Sequence, residues 1–102
     1  MQLAPDSPAA LVDLAWVLAG TPQDSLRDPG LAMRLAERAV TLTGKKDAGA
    51  LDALAAAQAS NDDFDRAVDT ATTALTLKPA NAEAIAARRE AYRQRQAFRL
   101  PR

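Results

Sequence analysis

Residues 32–42 and 67–77 of this chain are written in one pattern. Ala32, Ala36 and Ala39 of the first match Ala67, Ala71 and Ala74 of the second, and each stretch closes on an apolar residue followed by Thr and Leu. Their starts lie 35 residues apart, the period of a tandemly repeated two-helix unit. A hairpin of that size leaves its apolar side wet unless a neighbour covers it, so the pattern constrains the chain to stack one hairpin on the next. Alanine supplies 25 of the 102 residues, against two Phe, one Trp and one Tyr. A core with so little bulk requires helix axes to approach toward the low end of the usual ~8–10 Å.

Periodicity and punctuation divide the chain into five helical segments. Asp6-Ser7-Pro8 reads as a cap with proline at an early helical position, opening a segment that runs to about Ala19. Leu11, Leu14, Ala15 and Leu18 carry its apolar face. Gly20-Thr21-Pro22 stops it, and a polar loop over 20–30 contains the turn Asp28-Pro29-Gly30. The second segment spans about Leu31 to Thr43 and ends at Gly44, in the place of a left-handed cap. The third runs from about Ala48 to Ser60 and the fourth from about Phe64 to Leu77, where Lys78-Pro79 ends it. Asn81 opens the fifth, about Ala82 to Ala97. No segment alternates with period two, so the fold class is all-α.

Leu51, Leu54, Ala55, Phe64, Ala67, Ala71, Ala74 and Pro79 stand at the signature spacing of the tetratricopeptide repeat, and the chain resembles that family over residues 8–97. It departs from the pattern at Asp62, where glycine is usual, at Gln58, where an aromatic is usual, and in a loop before Ala32 about five residues too long. In this it resembles a variant found near the C-termini of bacterial repeat proteins. The resemblance implies one domain over 1–102: a right-handed superhelical stack of antiparallel hairpins with repeat one at 8–46, repeat two at 48–81 and a capping helix at 82–97. Ala15, Ala32, Ala39, Ala55, Ala67 and Ala74 would line the seams, with Leu14, Leu18, Leu35, Leu51, Leu54, Leu75 and Phe64 filling the remaining space.

Cys and His are both absent. That removes disulfides, thiol nucleophiles, thiolate or imidazole metal sites and histidine general bases. Gly20, Gly30, Gly44 and Gly49 are isolated and form no phosphate loop. Asp62, Asp63 and Asp65 lie close together but lack the ligand set of a calcium loop, and helix capping explains them better. No catalytic residue, metal ligand or cofactor is therefore expected. Net charge is zero overall, yet the part from Ala82 onward holds six arginines against two glutamates, leaving 7 basic and 11 acidic residues before it. The arginines spread around their helix without aromatic platforms, against a nucleic-acid surface. No apolar run approaches the ~20 residues of a membrane span. The first residues carry neither a basic region nor an apolar stretch, so no signal peptide is read there; the compartment is left open, with the cytoplasm favoured, since a chain without cysteine is compatible with either side of a membrane.

What remains is interaction. The resemblance implies a concave face lined by first helices, with Val12, Asp13 and Trp16 from repeat one, Asp52, Ala56 and Ala59 from repeat two, and Ala86, Glu90 and Arg93 from the last helix. Trp16 is the expected anchor, since a tryptophan with one accessible face is a frequent hot spot; the alternative is a tryptophan that completes local packing. Asp52 and Ala56 stand where chaperone-binding members of the family carry the Lys and Asn of a carboxylate clamp, so capture of an acidic C-terminus in that manner is not expected. The function expected is a protein–protein interaction module binding a peptide or helix. The runner-up is a structural spacer or self-association element of a larger repeat protein, of which this chain would be the end, with Phe98-Arg99-Leu100 trailing off. Self-contact could then run through the N-terminal helix or between the basic end of one chain and the acidic body of another.

Overall fold

Five helices follow one another along the chain in a computed structural model that describes residues 7–100. They are α1 (Pro8–Gly20), α2 (Pro29–Leu42), α3 (Ala48–Ser60), α4 (Phe64–Thr76) and α5 (Ala82–Arg93), with a short 3-10 turn, Asp24–Leu26, inside the long loop. There is no strand among the described residues. Asp6 lies outside them; the cap at the start of α1 is Ser7, whose hydroxyl accepts from the Ala10 N–H at 3.4 Å.

Local chemistry sets the boundaries. Asp28 caps α2 by accepting from the Leu31 N–H at 3.1 Å, with Pro29 at the first helical position, so α2 begins two residues before the periodicity does. Asp47 and Asp63 cap α3 and α4 in the same way. Asn81 stands at the cap of α5 without a side-chain capping bond. Gly44 takes the left-handed conformation (φ 64°) after α2, as its position implies. The clearest boundary correction is α5, which ends at Arg93 rather than Ala97. The Arg95 N–H donates to the Tyr92 carbonyl and the Gln96 N–H to the Ala91 carbonyl, closing the helix around a left-handed Arg95. Residues 94–100 then leave without forming a helix.

Helices α1 and α2 pack as one pair and α3 and α4 as the next; α3 also lies against both α1 and α2, and α5 packs on α4. Ala15, Ala32, Ala39, Ala55, Ala67 and Ala74 are all fully buried at these contacts. Helix α3 occupies the middle, buried on every side over most of its length. Larger side chains at the centre include Leu51, Phe64, Ile85 and Tyr92. Leu14 is a correction: expected as a core filler, it is 47% exposed, as is Val17 at 50%. Leu11, one turn before Leu14, takes the core position instead.

Candidate functional site

Trp16 is the meeting point of three parts of the molecule. On α1 it stands half-buried beside Val12, over a small cluster of Ala15, Ala36 and Ala53. The Arg88 guanidinium of α5 lies over its ring, 5.2 Å from the centroid, within the range of a cation–π contact. The Phe98 ring meets it edge-on, with centroids 4.8 Å apart and planes at 74°, a favoured arrangement of two aromatic quadrupoles.

Arg88 is held there from below. Its Nε and Nη2 donate to the two carboxylate oxygens of Asp52 on α3 at 3.1 and 2.5 Å, a planar two-point pairing that lysine could not make. Burial pushes the Asp52 carboxyl above its ordinary value, and the hydrogen bonds and charge of Arg88 pull part of that back. The neighbouring Tyr92 hydroxyl is fully buried and makes no hydrogen bond to protein. Its titration is pushed upward by burial and by the negative Asp52, with Arg88 acting in the opposite direction.

The segment after α5 runs back to the end of α1. The Leu100 N–H donates to the Gly20 carbonyl at 2.7 Å, and Arg99 Nη1 donates to the Ala19 carbonyl at 3.4 Å. These carbonyls belong to the last turn of α1, where the helix itself offers no partner and where a cation meets the negative end of the dipole. Gly20 is required by this approach: a Cβ there would stand 2.6 Å from Phe98 Cε2. Beside it, Pro22, Asp24, Arg27, Arg99 and Leu100 line an open cleft of about 360 Å³. Arg27 is already engaged by the Thr21 carbonyl and Asp24.

The face read from the sequence is assembled only in part. Trp16 and Val12 lie together, and Asp13, half-buried Ala86, Glu90 and Arg93 reach the surface of α1 and α5. Glu90 and Arg93 pair with each other at 3.4 Å. Asp52, Ala56 and Ala59 are corrections as accessible positions. Ala56 and Ala59 are fully buried and Asp52 is 3% exposed. The cause is the central place of α3: α1, α2 and α4 surround it, Arg88 closes over Asp52, and Ala97 and Phe98 pack on the same core. Phe98, Arg99 and Leu100 lie against α1.

Arg88, Gly20, Phe98 and Leu100 are the site residues that the sequence reading passed over. Phe98 and Leu100 carry one weak signal, apolar residues two apart in a charged segment, the spacing of an extended chain with one side covered. Gln58, in an aromatic's place, is buried and accepts from the Thr70 hydroxyl at 2.7 Å. Asp62 and Asp63 serve the turn between α3 and α4, and no group of three or more carboxylates among the described residues is arranged to hold a metal ion. No described helix is long and apolar enough to cross a membrane. Neither a family model, a curated protein nor a solved structure matches the chain.

Proposed function

We propose that this chain is a non-catalytic protein–protein interaction module, a tetratricopeptide-like stack of hairpins that takes a partner peptide on the face formed by α1, α3 and α5. The observation that carries the reading is that this face already holds a non-helical stretch of polypeptide. An aromatic side chain of that stretch sits on Trp16, and its main chain bonds to the end of α1. A surface that recognises its own tail through one ring and one backbone bond has the two elements needed for a foreign peptide: a pocketed anchor and a main-chain partner.

Two features support the tetratricopeptide-like stack. The first helices α1 and α3 touch each other, and each second helix lies against the first helix of the following unit. Asp62, where the family usually has glycine, takes the left-handed conformation (φ 63°) that explains that preference.

The test is capture from cell extract by the immobilised chain and by Trp16→Ala and Arg93→Ala variants that retain wild-type helicity. Proteins held by the wild type should be lost with Trp16→Ala and reduced with Arg93→Ala. An unchanged set of captured proteins would sink the reading. One observation favours a second reading, self-association through α1: Leu14 and Val17 stand half-exposed one turn apart on a face that no other described element covers.

A further inference from the structure

We propose that the Trp16 face selects a non-helical partner segment in which an aromatic residue is followed, two positions on, by an aliphatic one, and that the chain's own Phe98-Arg99-Leu100 is the resident competitor for it. The inference rests on the reading of this face as peptide-binding and gives it a ligand class.

The chemistry of the ligand is written in the contacts of the tail. The slot beside Trp16 accepts a ring edge-on and stays open because Gly20 has no side chain; a Cβ would stand 2.6 and 2.7 Å from two Phe98 ring atoms. The next position meets the Ala19 carbonyl at the end of α1, with the Asp24 and Asp62 carboxylates acting on the Arg99 charge. Burial and the positive charge of Arg27 nevertheless lower the Arg99 pKa on balance, so this position accepts a hydrogen-bond donor without selecting for charge. The third position is fixed by its backbone N–H on the Gly20 carbonyl at 2.7 Å, a bond that any residue but proline can supply. Its side chain rests half-buried by Pro22 in the open cleft.

The tail is built to leave. Phe98 and Leu100 are only half-buried and Arg99 is exposed, in contrast to Ile85 and Tyr92, which α5 buries almost completely. Residues 96–100 belong to no helix, and the chain enters them through a non-glycine residue, Arg95, held at φ 60°. Removing the tail from the slot uncovers the Trp16 ring and the edge of the core on which Ala97 and Phe98 pack, while Ile85 and Tyr92 stay with α5. Only a few residues tether Phe98 to α5, so the tail competes at an effective concentration on the order of millimolar. A partner segment must outbid that concentration.

The experiment uses the full chain and a fluorescein-labelled peptide of residues 94–102, Gln-Arg-Gln-Ala-Phe-Arg-Leu-Pro-Arg, read by fluorescence anisotropy. Phe98→Ala should bind the peptide at least about tenfold more tightly than the wild type, since the tethered competitor is gone. The same peptide with alanine in place of its phenylalanine should not bind, and adding Gly20→Ala to Phe98→Ala should abolish binding. Trp16 is the only tryptophan, so its emission should shift to the red in Phe98→Ala and return on adding peptide. If Phe98→Ala loses helicity, Leu100→Pro loosens the tail by deleting one hydrogen bond, and a gain of roughly fivefold in peptide affinity is required of it. Equal binding by wild type and variant, or binding indifferent to the peptide's phenylalanine, overturns the proposal. So does a dimer by light scattering that Phe98→Ala dissolves, which would make a second copy's tail the occupant. Failure of the peptide assay beside Trp16-dependent capture from extract removes the ligand class and leaves the peptide-binding reading in place.

Discussion

Arg88 joins the buried part of the molecule to its accessible part. Its guanidinium pairs with Asp52, which is 5% exposed at the side chain, and covers the ring of Trp16, while its own side chain is 24% exposed. Removing one member of such a pair leaves an uncompensated buried charge. We expect Arg88→Ala to destabilise the chain by about 3 kcal/mol in urea unfolding, and the deficit should depend on pH. The folded-state Asp52 carboxyl titrates above its ordinary value of 3.8. Between those two values the folded chain holds the proton more tightly than the unfolded one, so the contribution of Asp52 is lost as pH rises through that interval. Without Arg88 nothing offsets burial and the interval widens. The variant's deficit should therefore shrink as pH is lowered from 7 toward 4.5; a deficit constant over that range would show that Asp52 remains ionised.

At the scale of elements, the bodies of the helices were legible and the joints were not. Alanine and leucine at three- and four-residue spacing mark α3 to the residue, and caps such as Ser7 and stops such as Gly44 are local chemistry. Asp28 and Pro29 suit a turn and a helix start equally in sequence, and only the Asp28 capping bond decides between them. The sequence places the end of α5 four residues late because Gln94-Arg95-Gln96 contains no breaker; the helix closes there through backbone bonds alone. The tail contact was beyond reach for a different reason: Phe98 and Trp16 lie at opposite ends of the chain, and no periodicity links single residues across that distance. Asp62, Lys78 and Arg95 all take positive φ values after helices, a conformation that costs a non-glycine residue about 1–2 kcal/mol. Asp62→Gly should accordingly stabilise the chain by about 1 kcal/mol after the loss from added unfolded-state freedom. That corresponds to a rise of about 4–8 °C in the thermal midpoint for a domain of this size, measured by circular dichroism. A lowered midpoint would mean that the Asp62 side chain contributes more than its backbone strain removes.

At the scale of the whole molecule, an ion pair within the chain joins the basic end to the acidic body. The basic end sends Arg88 to Asp52 and Arg99 to the carbonyl end of α1, while Arg93 pairs with Glu90 of the same end, so most of the asymmetry stays available for an association between the basic end of one copy and the acidic body of another. The apolar outer face of α1 has no such internal outlet: Leu14 is 47% exposed and Val17 50%, with Ala10 exposed a turn earlier. One helix face covers far less than the ~1,200 Å² of a standard interface, so the association expected through it is weak and reversible. Light scattering over a concentration series should show the mass rising above the monomer value of 10.8 kDa toward its double, with Leu14→Gln combined with Val17→Gln holding it at the monomer. Salt separates the two origins. Contact between opposite charges weakens as ionic strength shortens the screening length to about 3 Å at 1 M, whereas an apolar contact persists or strengthens under excluded salts such as sulfate. A mass that stays at the monomer value at every concentration removes the α1 contact; one that rises but collapses in salt assigns it to the charges instead.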